Sequence, residues 1–217
     1  MARASTKVKI CGLTREDGVE AVIESGADYI GVVLLAKSPR TISIERAAEL
    51  LDPVPRKILR VGLFVEPDDK FLEETLKDLR LDLLQLHGKE TPNRIEAVRK
   101  EFGIPVMKAL GIFDASDLQR AREFEDVADI TMFDAKPPKG ADRPGGHGKA
   151  FDWTLLAGLK WKTPWMLAGG LTPENVAQAV ELSGAKIVDV SSGVESAPGV
   201  KDPDKIRRFV AAAKAAA

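Results

Sequence analysis

The sequence predicts an α/β fold, a single-domain (β/α)8 barrel spanning residues 1–217. Two observations carry this expectation. Eight short runs rich in β-branched residues alternate along the chain with longer amphipathic runs, as one strand and one helix per unit require. Toward the C-terminal ends of several strands, polar residues occupy alternate positions, so one face can pack on helices while the other lines a barrel mouth. An open doubly wound sheet is the alternative.

The elements follow in order. The strand "KVKICGL" runs into "TREDGVEAVIESG", a helix with Thr14 as N-cap and Gly26 at its end. "YIGVVLL" is followed by "SIERAAELL", capped by Ser43. "KILRVGLFV" precedes "PDDKFLEETLKDL", and "LLQLHG" precedes "TPNRIEAVRKEFG", with Pro92 at the first helical position. "PVMKAL", "ITMFDA" and "WMLAGG" are the next strands. "TPENVAQAVELSG" carries Thr172 as N-cap, Pro173 at the first helical position and Gly184 at its end. "IVDVSSG" is the last strand, and the tail "AAAKAAA" reads as a fraying helix end.

Composition bounds the function. The chain has 217 residues, 44% hydrophobic and 30% charged, an ordinary globular balance. The net charge of −1 argues against a nucleic-acid or membrane-surface binder. The start "MARASTKVKICG" lacks the apolar core of a signal peptide, and no run is long enough to span a bilayer. A single cysteine suits a reducing compartment, so the expected location is the cytoplasm.

Alternation places the candidate chemistry. Lys9 and Cys11 share one face of the first strand, Gln85 and His87 one face of the fourth, Asp134 and Met132 one of the sixth, Asp189 and Ser191 one of the eighth. As a set these groups point to the mouth, where barrel chemistry occurs. "AGGLTPEN" and "SSGVES" follow the seventh and eighth strands, the usual place for a phosphate. There Gly169, Gly170 and Gly193 let backbone amides approach an anion. "PGGHGKAF" is not a P-loop, because Arg143 and Ala150 stand where glycine and a hydroxyl residue are needed. It lies in a long Gly/Pro-rich stretch, 136–149, expected to be a mobile active-site loop. Two histidines without HExxH or paired cysteines leave no metal signature. A Cys11–His87 hydrolase lacks further support. Cys11 suits a general base if a cation such as Lys9 lowers its pKa, and Asp134 suits a general acid.

These segments, "KICGLT", "GVVLLAKSPRTIS", "VGLFV", "LLQLHG", "FDAK…GGHGKAFDW", "LAGGLTPENV" and "VDVSSGVESAPGVKD", resemble the phosphoribosylanthranilate isomerase family over nearly the whole chain. The resemblance implies a barrel enzyme of tryptophan biosynthesis. It implies an Amadori rearrangement of N-(5′-phosphoribosyl)anthranilate to 1-(2-carboxyphenylamino)-1-deoxyribulose 5-phosphate, without metal or organic cofactor. It puts the general base on Cys11 and the general acid on Asp134. It also puts the anthranilate-carboxylate arginine on Arg40, and phosphate contacts on Gly169, Gly170 and Gly193 with help from Gly146 and Gly148; Asp189, placed at the mouth by alternation, is a further candidate substrate contact. Two departures stand out: the inserted "PPKGADRP", and His147 in place of a small hydroxyl residue. The expected partner is a phosphorylated small molecule, and the assembly a monomer or homodimer. A related phosphosugar synthase, such as indole-glycerol-phosphate synthase, would need inward lysines, for which Lys108 is the candidate beyond Lys9. A phosphosugar-binding barrel without activity is the non-enzymatic alternative.

Overall fold

The computed structural model describes residues 5–135 and 152–216. Eight parallel strands close into a barrel in the order in which they occur in the chain. They are β1 Lys7–Cys11, β2 Tyr29–Leu35, β3 Leu59–Phe64, β4 Leu83–Leu86, β5 Val106–Ile112, β6 Ile130–Ala135, β7 Trp165–Ala168 and β8 Ile187–Val190. β8 closes the ring on β1 in the register Lys7↔Ile187 to Ile10↔Val190. The helices are α1 Glu16–Ser25, α2 Ile44–Leu51, α3 Asp69–Asp78, α4 Pro92–Phe102, α5 Ala115–Ala121, α6 Val176–Ser183 and α7 Pro203–Ala215. In the sixth unit the described residues between β6 and β7 form only a short 3-10 turn, Trp153–Leu156.

The alternation read from the sequence sorts the side chains as expected. Val8, Ile10, Leu84, Leu86, Phe133, Val188 and Val190 pack outward into the large core beneath the helices. Tyr29, Val61, Leu83, Met107, Ala109, Met132, Met166, Ala168 and Ile187 fill the barrel interior as a separate cluster. Cys11, Val33 and Leu63 form a smaller one. Burying two faces of every strand gives each its nearly continuous apolar run.

Several local expectations hold. Ser43 accepts from the Arg46 amide at 3.2 Å and caps α2; Pro92 starts α4; Gly26 and Gly184 end α1 and α6 in left-handed backbone. Others are corrected. Thr14 is not a cap, since Arg15 precedes α1 and the Thr14 hydroxyl donates to the Gly199 carbonyl at 2.7 Å. Thr172 and Pro173 lie in a turn ahead of α6, whose N-cap is Asn175. The alanine-rich tail does not fray at its start: α7 runs to Ala215, with Ala213 fully buried, because this helix packs on α1. Lys108 is not inward. Its neighbours Met107 and Ala109 take the interior positions, and its ammonium bonds the Glu90 carboxylate at 2.6 Å and the Gly88 carbonyl at 2.7 Å. A paired lysine outside the barrel offers nothing to synthase chemistry in the mouth.

After β8 the chain makes a two-stranded antiparallel hairpin, β9 Glu195–Ala197 and β10 Val200–Lys201. The 136–149 stretch, with Gly146, His147 and Gly148, lies outside the described residues. No described helix is long and apolar enough to cross a membrane.

Candidate active site

Cys11 sits at the last position of β1, only 4% exposed. Two residues back on the same face, Lys9 is fully buried, and its ammonium bonds the Asp189 carboxylate of the adjoining β8 at 2.7 Å. Such a buried pair is not a strong source of stability, but removing one partner strands the other and costs about 3–5 kcal/mol. Burial works against the Lys9 ammonium; Asp189, followed by Cys11, outweighs it and holds the group above its ordinary value.

The expectation that Lys9 lowers the thiol toward neutrality is corrected. Burial pushes the Cys11 thiol up, Lys9 pulls it down, and Asp189 pushes it up again, leaving it above its ordinary value. The cation is present, but the same strand end that positions the thiol also removes it from water. The thiol and the ammonium share the space above Gly31: a Cβ there would lie 3.1 Å from Cys11 Sγ and 3.3 Å from Lys9 Nζ. Gly31 was not legible as a site residue, because "YIGVV" looks like any buried strand.

Asp134 is on β6, three strands from β1 by the shorter way around the ring, and its carboxylate is 36% exposed. It stands between Gly111 of β5 and Ala168 of β7, two small residues that leave it open to the mouth. His87, just past β4, brings Nε2 to 3.4 Å from Asp134 Oδ2, and the Gln85 amide lies 3.1 Å from His87 Nδ1. The polar positions of β4 and β6 thus meet, whereas His87 is directed at the carboxylate rather than at the thiol. That arrangement gives no support to a Cys–His nucleophile.

Arg40 lies in the loop after β2, over Gly12. At Gly12, where φ is +80°, a Cβ would come 2.6 Å from Arg40 Cδ, so the glycine of "KICG" admits the arginine beside Cys11. Both Nε and Nη2 of Arg40 donate to Glu195, at 2.6 and 2.8 Å. The planar edge that could grip a ligand carboxylate through two bonds is therefore occupied within the protein. Lys201 completes the cluster, donating to Glu195 at 2.8 Å, to the Ser191 carbonyl at 3.0 Å and contacting its hydroxyl at 3.1 Å. Burial opposes the Glu195 charge, yet Arg40 and Lys201 hold its carboxyl below the usual range. Burial also pulls Lys201 below its ordinary value, against Glu195.

The glycines after β7 and β8 come together. Gly169 and Gly170 adopt φ of +90° and +65°. Gly193 lies so close to this loop that a Cβ would sit 1.9 Å from the Leu171 carbonyl oxygen. Asn175 braces the turn, donating to the Gly170 carbonyl at 3.0 Å and accepting from the Thr172 amide at 2.8 Å. Among the described residues the Gly170 amide makes no hydrogen bond. Gly193→Ala should overpack this junction by about 1–3 kcal/mol, read as a lower urea midpoint. An unchanged midpoint would show that the two loops part without strain.

Comparison with known proteins shows the family and the fold. Residues 8–212 match the family model described as N-(5′-phosphoribosyl)anthranilate (PRA) isomerase. The N-(5′-phosphoribosyl)anthranilate isomerase of Paramagnetospirillum magneticum is 60% identical over 208 residues, covering 96% of this chain and 97% of that protein. The crystal structure of the Thermotoga maritima phosphoribosylanthranilate isomerase superposes with a TM-score of 0.87 at 36% identity, covering 97% of this chain and 99% of that one. A structure of the same enzyme type with reduced 1-(o-carboxyphenylamino)-1-deoxyribulose 5-phosphate gives 0.84 at 34% identity, with the same coverage. An eight-stranded barrel with these groups at its C-terminal end, matched from first strand to last helix, belongs to the phosphoribosylanthranilate isomerase family and is an isomerase.

Proposed function

We propose that the chain converts N-(5′-phosphoribosyl)anthranilate to 1-(2-carboxyphenylamino)-1-deoxyribulose 5-phosphate in tryptophan biosynthesis, with Asp134 as general acid and Cys11 as general base. The observation that carries it is the placement of a thiol and an open carboxylate at the C-terminal ends of β1 and β6, facing one mouth. Asp134 gives a proton to the furanose ring oxygen as the C1–O bond breaks, and the anilino nitrogen lone pair forms the iminium ion. That cation acidifies the C2 hydrogen. Cys11 removes it, the electron pair moves into an enolamine, and tautomerisation yields the ketone. The Lys9–Asp189 pair holds polar groups below the sugar, with Asp189 as a candidate for its hydroxyls. The chain's own acid and base suffice for each of these transfers, so the reading needs no metal or organic cofactor.

Gly169, Gly170 and Gly193 are the proposed phosphate contacts, supported by their convergence at the loops after β7 and β8. Gly170→Asp sets a carboxylate beside a dianion, in a backbone conformation that disfavours any side chain. It should raise KM at least about tenfold, and sulfate should compete with substrate in the parent enzyme. An unchanged KM, or noncompetitive sulfate, would move the phosphate elsewhere. Arg40 is the proposed anchor for the anthranilate carboxylate. With Nε and Nη2 held by Glu195, the contact falls to Nη1.

The Thermotoga maritima enzyme is dimeric, and monomers of it have been generated. A monomer or homodimer is proposed here, in the cytoplasm, with a small phosphorylated substrate and no nucleic acid. Incubation with phosphoribosylanthranilate tests the central reading. The anthranilate-type fluorescence of the substrate should decay in proportion to enzyme, and no decay would sink it.

A further inference from the structure

Glu195 has a role that the acid–base chemistry does not use. Its carboxylate is nearly fully buried, and it receives two hydrogen bonds from Arg40 and one from Lys201. The hairpin that carries it is itself tied to both neighbouring loops. The Thr14 hydroxyl bonds the Gly199 carbonyl, and Gly199 lies so near Pro39 that a Cβ would meet the Pro39 oxygen at 2.7 Å. The loops after β1, β2 and β8 therefore form one clasp around the Arg40 guanidinium. An exposed arginine samples many rotamers, and ordering it on binding costs affinity. This one is ordered beforehand: its Cδ rests over Gly12, its Nε–Nη2 edge is bonded to Glu195, and Nη1 makes no hydrogen bond among the described residues.

We propose that Glu195 is a positioning residue for specificity: it grips Arg40 by one edge so that the other, Nη1, meets the aromatic carboxylate of the ligand. The proposal rests on the reading of Arg40 as the carboxylate anchor. The opposite arrangement has the same contacts but another consequence. If Glu195 stood in for the ligand carboxylate and had to be displaced, it would compete with binding. The two differ in sign. Net charge alone also favours the competitor, because Arg40, Lys201 and Glu195 sum to +1, and losing the carboxylate raises that to +2.

Titration calorimetry with reduced 1-(o-carboxyphenylamino)-1-deoxyribulose 5-phosphate, and with its counterpart lacking the ring carboxyl, separates them. Glu195→Gln should weaken the carboxylated ligand about tenfold, as a misplaced anchor does, and leave the other within about twofold. Glu195→Asp should recover part of the loss. Because Glu195→Gln strands a second cation and can unfold the clasp, Glu195→Gln with Lys201→Met restores the +1 balance. It should still show the selective loss. Arg40→Ala is the control and should lose the distinction between the two ligands. If it keeps the distinction, the anchor reading fails and takes the proposal with it. If Arg40→Ala loses it while the Glu195 variants bind the carboxylated ligand unchanged or more tightly, Glu195 does not position the anchor. Equal weakening of both ligands would reduce its role to holding the loops.

Discussion

Asp134→Asn and Cys11→Ser should each lower kcat by about 10²–10⁴-fold, the usual contribution of a general acid or base, with the unfolding curve little changed. Asp134 is partly open to the mouth, so the isosteric amide disturbs no core packing. Cys11 is buried, but serine is smaller and keeps the strand end intact. A hydroxyl is far less acidic than a thiol and cannot supply the base. The thiol's elevated pKa adds a directional test. Thiolate is the reactive form, and burial holds Cys11 above its ordinary value, so its fraction at neutral pH is small and grows as pH rises. In the parent enzyme the rate at which iodoacetamide alkylates Cys11, which follows the thiolate alone, should climb through neutrality and still be climbing at pH about 8.5, near the free-thiol pKa. A plateau below that pH would show that Lys9 prevails over burial. Retention of more than about a tenth of activity in either variant removes that residue from the mechanism.

Arg40→Ala should lower kcat/KM by about 10²-fold or more, since truncating one member of a charge pair shielded from water costs several kcal/mol and Arg40 is partly buried. The fold should survive, because Lys201 remains 2.8 Å from Glu195 and keeps that carboxylate paired. Arg40→Lys should recover only part of the loss. An ammonium has donors to spare but no planar fork that fixes Glu195 and a ligand in opposite directions. A substrate analogue without the ring carboxylate should react poorly with the parent enzyme and respond little to either substitution. Equal loss for both substrates would show that Arg40 serves the fold alone.

The strands were legible because each parallel strand is buried on two faces and reads as an apolar run, and the polar interruptions at Cys11, Gln85, Asp134 and Asp189 marked the mouth. Lys108 was misread for the complementary reason. In "PVMKAL" apolar residues flank the lysine on both sides, so alternation alone does not say which face is inward. Thr14 has the composition of a cap but bonds Gly199, 185 positions away, and no local rule sees that distance. Glu195 escaped for the same cause: it meets Arg40 across 155 positions, and neither residue carries a local sign of the other. Gly12 and Gly31 were visible as glycines, but only the atoms that a Cβ would strike show what they make room for. The elevated thiol pKa had no sequence signal, because Lys9 was visible and the extent of burial was not.

The Lys9–Asp189 bond joins residues 180 positions apart, along the seam where β8 closes on β1. During synthesis, the first strand leaves the ribosome with its ammonium and its thiol long before the strand that neutralises and shelters them exists. Contacts this distant in sequence form late, because the intervening chain must first surrender its freedom. Helical signal should therefore return early when the denatured protein refolds, and catalysis only with the last strand. Activity that recovered in step with far-UV ellipticity would mean that the seam closes as early as the helices form. A chain that lags in between carries a half-built barrel, with a lone cation and a reactive sulfur at its open edge. That interval is when alkylating or oxidising reagents should do the most lasting damage.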